Sequence, residues 1–250
     1  MKVIIVAAGI GSRLGNLTKD IPKPLVDVNG KSILQRQIEI YRKFGIDDIF
    51  IVTGYKYEKI KFPNVTYIHN SDYMNTEQIG SLMKARCQLS GDVIISFGDI
   101  LFEASILEQL INAKENFILI SEPNWKKSYE QRSDNPPTQS DFIAIENNEI
   151  KKFFKNYLEI NNFHTTVEFI GLMKISSRLS DTFVKTYEYL ETSHKGKFHF
   201  ASSFMKAKFI DFFEELRLTG VQIHSLNVNG KWCEIDTIQD LEIAKKLFRK

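Results

Sequence analysis

Cysteine is scarce in this 250-residue chain, with only Cys87 and Cys233 present. Two thiols at that separation form neither a metal-ligand motif nor a disulfide framework, so a reducing cytoplasm is the expected location. Internal repeats, low-complexity tracts and Gly/Ser linkers are also lacking, and a single domain spanning residues 1–250 is expected. Charge of one sign is missing too: 33 Lys and Arg face 31 Asp and Glu, for a net charge of +2. The basic residues are scattered singly or in pairs, which excludes the electrostatic footprint of a nucleic-acid binder. The apolar run after Met1 stops at Ile10 without a cleavage region, and no other segment is long enough to enter a membrane. The five histidines form no i, i+4 metal pair. Nothing in the composition fixes an oligomeric state.

What is present begins at once. Val3 to Ala7 reads as a strand buried on both faces, and it runs directly into Ala8-Gly9-Ile10-Gly11-Ser12-Arg13. Glycines at 9 and 11 permit positive φ and keep side chains away, so that successive backbone N–H groups can converge on an anionic oxygen. The loop has no Lys-Ser/Thr to make a Walker A motif. Leu14 occupies the third-glycine place of a dinucleotide fingerprint, and Gly15 comes one residue late. Arg13 follows the loop, and Lys23 lies between Pro22 and Pro24, which stiffen the backbone that carries it.

Along the chain, Ser32 reads as the N-cap of a helix ending near Phe44, followed by a strand over 49–53, a short strand over 65–69 and a helix over 77–87. A very apolar strand over 92–97 ends in Gly98-Asp99, and a helix over 106–113 and a strand over 117–121 follow. This alternation is the rhythm of a parallel sheet. Residues 122–140 read as a long loop containing Trp125 and Tyr129. Strands over 142–146 and 167–174, helices over 177–191 and 203–216, strands over 223–228 and 232–235, and a final helix from Ile238 complete the chain. Asp99 falls at the carboxyl edge where open α/β sheets bind ligands; by itself it reads as a turn aspartate in Gly-Asp, but beside the N-terminal glycine loop its hard oxygens suit Mg²⁺. In Trp232-Cys233-Glu234-Ile235-Asp236-Thr237, alternation places Glu234 and Asp236 on one face, while Asp236 or Thr237 could cap the last helix.

The sequence AAGIGSRL with PKPL downstream resembles the signature of the nucleotidyltransferases that activate sugar phosphates and related phosphomonoesters. The resemblance implies an α/β, Rossmann-like nucleotidyltransferase fold with a mixed, mostly parallel sheet flanked by helices. Residues 1–121 would form the nucleotide-binding half, and residues 122–250 would bring the acceptor site and the second metal ligand. It assigns the NTP triphosphate to Ala8, Gly9, Gly11, Ser12 and Arg13, the reacting phosphates to Lys23 with Arg13, and Mg²⁺ to Asp99, Asp236 and Glu234. Asn75-Thr76-Glu77-Gln78-Ile79-Gly80-Ser81 resembles the base-contacting segment, implicating Asn75 or Gln78 together with Gly80 and Ser81.

The WCEIDT ending resembles the small cytidylyltransferases of this family, which implies CTP as donor and a small phosphorylated acceptor such as phosphocholine, a phosphonate or phosphoglutamine, with use in cell-surface glycan decoration. Trp125 and Tyr129 in the long loop, with Glu168 on a later strand, are the expected acceptor contacts, since an aromatic face and a carboxylate suit a cationic amine, while Trp125 could equally be a loop anchor packed on the sheet. The family's Glu-Lys-Pro is absent, which counts against a sugar. The competing readings are a uridylyl- or thymidylyltransferase for a sugar 1-phosphate, a Mg²⁺-dependent glycosyltransferase, and a silent nucleotide-binding module.

Overall fold

The computed structural model describes residues 1–147, 149–155 and 157–249. The chain runs through β1 (Lys2–Ala7), the short pair β2 (Asp27–Val28) and β3 (Lys31–Ser32), α1 (Ile33–Lys43), β4 (Ile49–Thr53), β5 (Thr66–His69), α2 (Gln78–Met83), β6 (Val93–Phe97), β7 (Ile100–Phe102), α3 (Ala104–Asn112), β8 (Phe117–Glu122) and α4 (Trp125–Tyr129). It continues through β9 (Phe142–Glu146), β10 (Glu149–Phe154), β11 (Thr165–Ile175), α5 (Ser177–Ser193), α6 (Phe209–Leu218), β12 (His224–Asn227), β13 (Trp232–Glu234) and α7 (Ile238–Leu247).

Nine strands make the central sheet among the described residues, in the order β10-β9-β11-β6-β1-β4-β5, with β8 joining β11 to β12. From β6 to β5 the ladders are parallel, as expected of strands alternating with helices. β11 enters antiparallel to β6, β8 and β9 and makes the sheet mixed. Alternation along β1 divides its side chains between two cores. Ile4 joins the cluster under α2, α5 and α6, whereas Val3 and Ile5 join the one under α1 and α3. Burial on both faces is why this strand reads as an unbroken apolar run.

Two features position the site. β11 leaves β6 at Leu172 opposite Ser96 and takes up β9 at Glu168 opposite Phe142, so a gap opens beside the end of β6. Gly171 lies in that gap at φ +84°, and a Cβ there would fall 2.3 Å from the Phe97 ring. The second feature is the antiparallel pairing of β13 with β7, which sets Glu234 opposite Ile100. A small apolar cluster of Leu14, Val26, Val28, Ile33, Leu101, Ile235, Leu241 and Ala244 then clamps the C-terminal segment onto the N-terminal one.

Several boundaries differ from expectation. The helix expected over 77–87 ends at Met83 and gives way to a separate turn at Arg86–Gln88; the one expected over 203–216 begins at Phe209, after a short turn at Phe204–Lys206. The short strands β7 and β10 went unread because three to six residues carry too little periodicity to stand out. Residues 125–129 of the long loop are helical.

Candidate active site

The loop after β1 turns at Gly11, whose φ is +69°, and Thr18 Oγ1 donates to the Gly11 carbonyl to close it. A Cβ on Gly11 would stand 2.7 Å from the Cβ of Lys23, so glycine is what lets the Pro-Lys-Pro arm lie against the loop. Gly9 corrects the expectation of positive φ at both glycines: it adopts none, and a Cβ there would meet no atom within 4 Å.

Lys23 is 7% exposed. Its ammonium donates to Asp99 Oδ2 at 2.7 Å and, over a shorter distance, to Asp236 Oδ1. Burial opposes the charge, yet Asp99, Asp236 and Glu234 outweigh it and hold the lysine pKa above its usual value. Arg13 Nη2 lies 2.7 Å from Asp236 Oδ2, and Arg13 Nη1 donates to Asn135 Oδ1 at 3.0 Å. Burial disfavours the Asp236 carboxylate, but Lys23, Arg13 and Arg132 override it and depress its pKa. Glu234 goes the other way: burial first, then repulsion from Asp236 and Asp99, keep its pKa well above the ordinary carboxyl value.

Asp99, Glu234 and Asp236 each offer a carboxylate oxygen within 4.8 Å of the others. Asp99 Oδ1 is buried with no hydrogen-bond partner. Three hard oxygen donors, one of them unsatisfied, fit a divalent cation of the Mg²⁺ type. Thr237, not Asp236, caps α7, in a capping box with Asp240. Asp236 is thereby spared for the site.

Two cavities meet here. The larger, about 420 Å³, is lined by the loop residues Ala8, Gly9, Gly11, Ser12 and Arg13, by Lys23, and by Gln78 and Ser81. Of the two candidate amides, Gln78 faces this cavity, whereas exposed Asn75 donates to Asp72 Oδ1 and is not in its wall. Gly80 sits behind the wall, where a Cβ would come 3.0 Å from Thr76. Buried Asn70, unmarked by any sequence signal, donates to both Thr76 and Ser81 and braces this corner.

The smaller cavity, about 130 Å³, opens in the gap beside β11 and includes Asn135, Asp141, Glu168 and Trp232 in its lining. Glu168 is 4% exposed; one oxygen accepts from the Tyr129 hydroxyl and Oε2 has no partner. Burial pushes its pKa up to about 7, against the opposing effects of Tyr129, Arg132 and Ser140. Tyr129 stands behind Glu168, with its ring covered by the Arg132 guanidinium at 4.8 Å. Trp125 does not reach the cavity: it is 2% exposed, packs edge-on against Phe142 and donates to the Thr166 carbonyl at 3.1 Å. Trp232 is the indole in the wall, its Nε1 bonded to Glu122 at 2.9 Å.

Lys208, Arg132, Asn135 and Asp141 were not read from the sequence, because each is a lone polar residue in a stretch without a motif. Lys208 lines both cavities.

A model of the MobA-like NTP transferase domain matches residues 3–127. A CTP:phosphoglutamine cytidylyltransferase of Campylobacter jejuni is 30% identical over an alignment of 257 residues, covering 97% of this chain and 98% of that protein. A choline-phosphate cytidylyltransferase of Streptococcus pneumoniae is 36% identical over 107 residues, 41% of this chain and 47% of its own. Among solved structures, a CTP:phosphocholine cytidylyltransferase from Streptococcus pneumoniae superposes with a TM-score of 0.74 at 18% identity, over 99% of both chains. A putative glucose-1-phosphate thymidylyltransferase from Bacillus anthracis gives 0.77 at 19% identity, over 100% of this chain and 96% of that one. At such identities the structural likeness speaks to the fold alone.

Proposed function

From the premise that the chain belongs to the nucleotidyltransferases with a MobA-like NTP transferase domain, we propose that it transfers CMP from CTP to a small phosphorylated acceptor bearing an amine, with release of pyrophosphate. One observation carries this reading: the two cavities share a wall of Arg13, Gln78, Phe97, Asp99, Lys208 and Asp236. A nucleotide in the larger cavity and a phosphomonoester in the smaller one therefore meet across the cationic and acidic side chains that phosphoryl chemistry needs.

The phosphate of such an acceptor has a second pKa of about 6, so at neutral pH its attacking oxygen is already anionic. No protein base is required. What remains is alignment and charge neutralisation. The backbone of the loop from Ala8 to Ser12 and the guanidinium of Arg13 are suited to the triphosphate, and Lys23 to the reacting phosphates. Lys208 stands where the two substrates would adjoin. Asp99, Asp236 and Glu234 would hold Mg²⁺, which supplies charge neutralisation and orientation of the phosphate oxygens. In the smaller cavity, Glu168 and Asp141 are anionic partners for an ammonium and Trp232 an aromatic one. Tyr129 fixes Glu168, and Trp125 anchors the loop from behind. The relatives named for phosphoglutamine and choline phosphate support CTP and a nitrogen-bearing acceptor.

A pyrophosphate-release screen crossing the four NTPs with phosphocholine, phosphoethanolamine, aminoethylphosphonate, phosphoglutamine and glucose 1-phosphate tests the reading. CTP paired with a nitrogen-bearing acceptor is the expected combination. Preferred turnover of glucose 1-phosphate with UTP or dTTP would overturn it.

A further inference from the structure

Asn135 comes from the loop between β8 and β9, is 3% exposed, and stands between two groups of opposite charge. Its Oδ1 accepts from Arg13 Nη1 at 3.0 Å, and its Nδ2 donates to Asp236 Oδ2 at 3.2 Å, with Asp240 Oδ2 at 3.5 Å. A primary amide presents an acceptor to a guanidinium and a donor to a carboxylate at the same moment; an ionised carboxylate, an ammonium or an apolar group cannot.

The surroundings hold that amide still. Arg132, three residues earlier, donates to Asp240 Oδ1 at 2.7 Å and lies 3.6 Å from Glu234 Oε2. Asp240 Oδ2 in turn accepts from the backbone N–H groups of Asp236 and Thr237. Asp236 is thus fixed at its main chain by Asp240 and at Oδ2 by Asn135, and its Oδ1 is left turned toward Lys23. Groups that orient a ligating carboxylate in this way typically contribute 10–100-fold to metal affinity or activity.

We infer that Asn135 is a positioning residue for nucleotidyl transfer: it locks Arg13 and Asp236 in a fixed mutual orientation, so that triphosphate and divalent cation are gripped as one unit. The inference rests on the reading of Arg13 as a triphosphate ligand and Asp236 as a cation ligand. Asn135 also borders the smaller cavity. A role in acceptor binding is therefore the competing outcome.

The test is Asn135→Leu, which keeps the shape and removes the hydrogen bonds to Arg13, Asp236 and Asp240. Mn²⁺ binding in the presence of CTP, followed by electron paramagnetic resonance, should weaken by about 10–100-fold, with kcat falling in step. The acceptor KM should stay within about twofold of wild type, a split that a general loss of packing would not give. Should Asn135→Leu fail to fold, Asn135→Ser carries the test, because its hydroxyl is too short to span both partners, and the same weakening is expected. Wild-type Mn²⁺ affinity in a folded variant would overturn the inference, as would a raised acceptor KM with metal binding intact. Failure of the underlying reading would look different, since the wild-type protein itself would then show no CTP-dependent Mn²⁺ binding.

Discussion

Lys23 and Asp236 lie 213 positions apart in the chain and form a buried ion pair, with the same ammonium also 2.7 Å from Asp99. The lysine stands among the carboxylates that fit a divalent cation. A divalent cation held there would compete with the ammonium for one set of oxygens, and bound phosphates would relieve that competition by drawing the lysine to themselves.

It follows that Lys23→Met should bind Mn²⁺ in the absence of nucleotide at least about tenfold more tightly than wild type, while losing almost all turnover. Removing one partner of a buried pair typically costs about 3–5 kcal/mol, and millimolar Mg²⁺ should restore much of that loss in a thermal melt. Unchanged Mn²⁺ affinity would show that Lys23 is no competitor of the cation.

Asp99→Asn and Asp236→Asn should each raise the Mg²⁺ concentration needed for half-maximal activity by about tenfold or more. Asp236→Asn should do the greater damage, because that carboxylate also holds Lys23 and Arg13. A magnesium titration that matches wild type for either variant removes that residue from the metal site.

Glu168 supplies a pH signature. Tyr129, Ser140 and Arg132 favour its ionised form and Asp141 opposes it, but burial dominates and lifts the carboxyl from 4.5 to about 7. With a raised folded-state pKa, its stabilising contribution is complete below about pH 4.5 and is lost as pH climbs through about 7. Relative to Glu168→Gln, wild-type stability should decline between pH 5 and pH 8 in denaturant titrations. Over the same range, kcat/KM for an ammonium-bearing acceptor should rise more steeply in wild type than in the variant, where only the substrate phosphates, with a second pKa of about 6 for the acceptor, still titrate. Parallel pH profiles for the two proteins would remove Glu168 from the acceptor site.

The two tryptophans should separate cleanly. Trp125→Ala empties a buried position among Phe142, Phe154 and Ile160 and should cost about 3–5 kcal/mol of stability. Trp232→Ala, at a half-buried position in the cavity wall, should raise the acceptor KM with a smaller fall in melting temperature. Reversal of that pattern would return the acceptor contact to the loop tryptophan.

What could be read in the linear sequence follows from where the physical constraint is local. β1 and β6 are buried on both faces and advertise it as apolar runs, and Gly11 and Lys23 are fixed by a turn and two prolines a few residues away. Asp99 could be placed because the end of a parallel strand is a ligand edge. Trp125 could be read as acceptor contact or as loop anchor because a loop aromatic points wherever tertiary packing leaves room, here against Phe142 and Phe154. Asn135 and Arg132 were invisible for a related reason: their partners Arg13, Asp236 and Asp240 lie more than a hundred residues away, and no spacing rule connects them.

During synthesis, residues 100–102 emerge long before residues 232–234, yet the acidic cluster is incomplete until those two strands pair. Among the described residues, the nine-stranded sheet takes no strand from beyond β12. A chain interrupted after residue 230 therefore carries every strand of that sheet and the whole glycine loop, but lacks Glu234 and Asp236. Such a fragment would keep the loop proposed for the triphosphate, with only Asp99 left of the three carboxylates proposed for the cation.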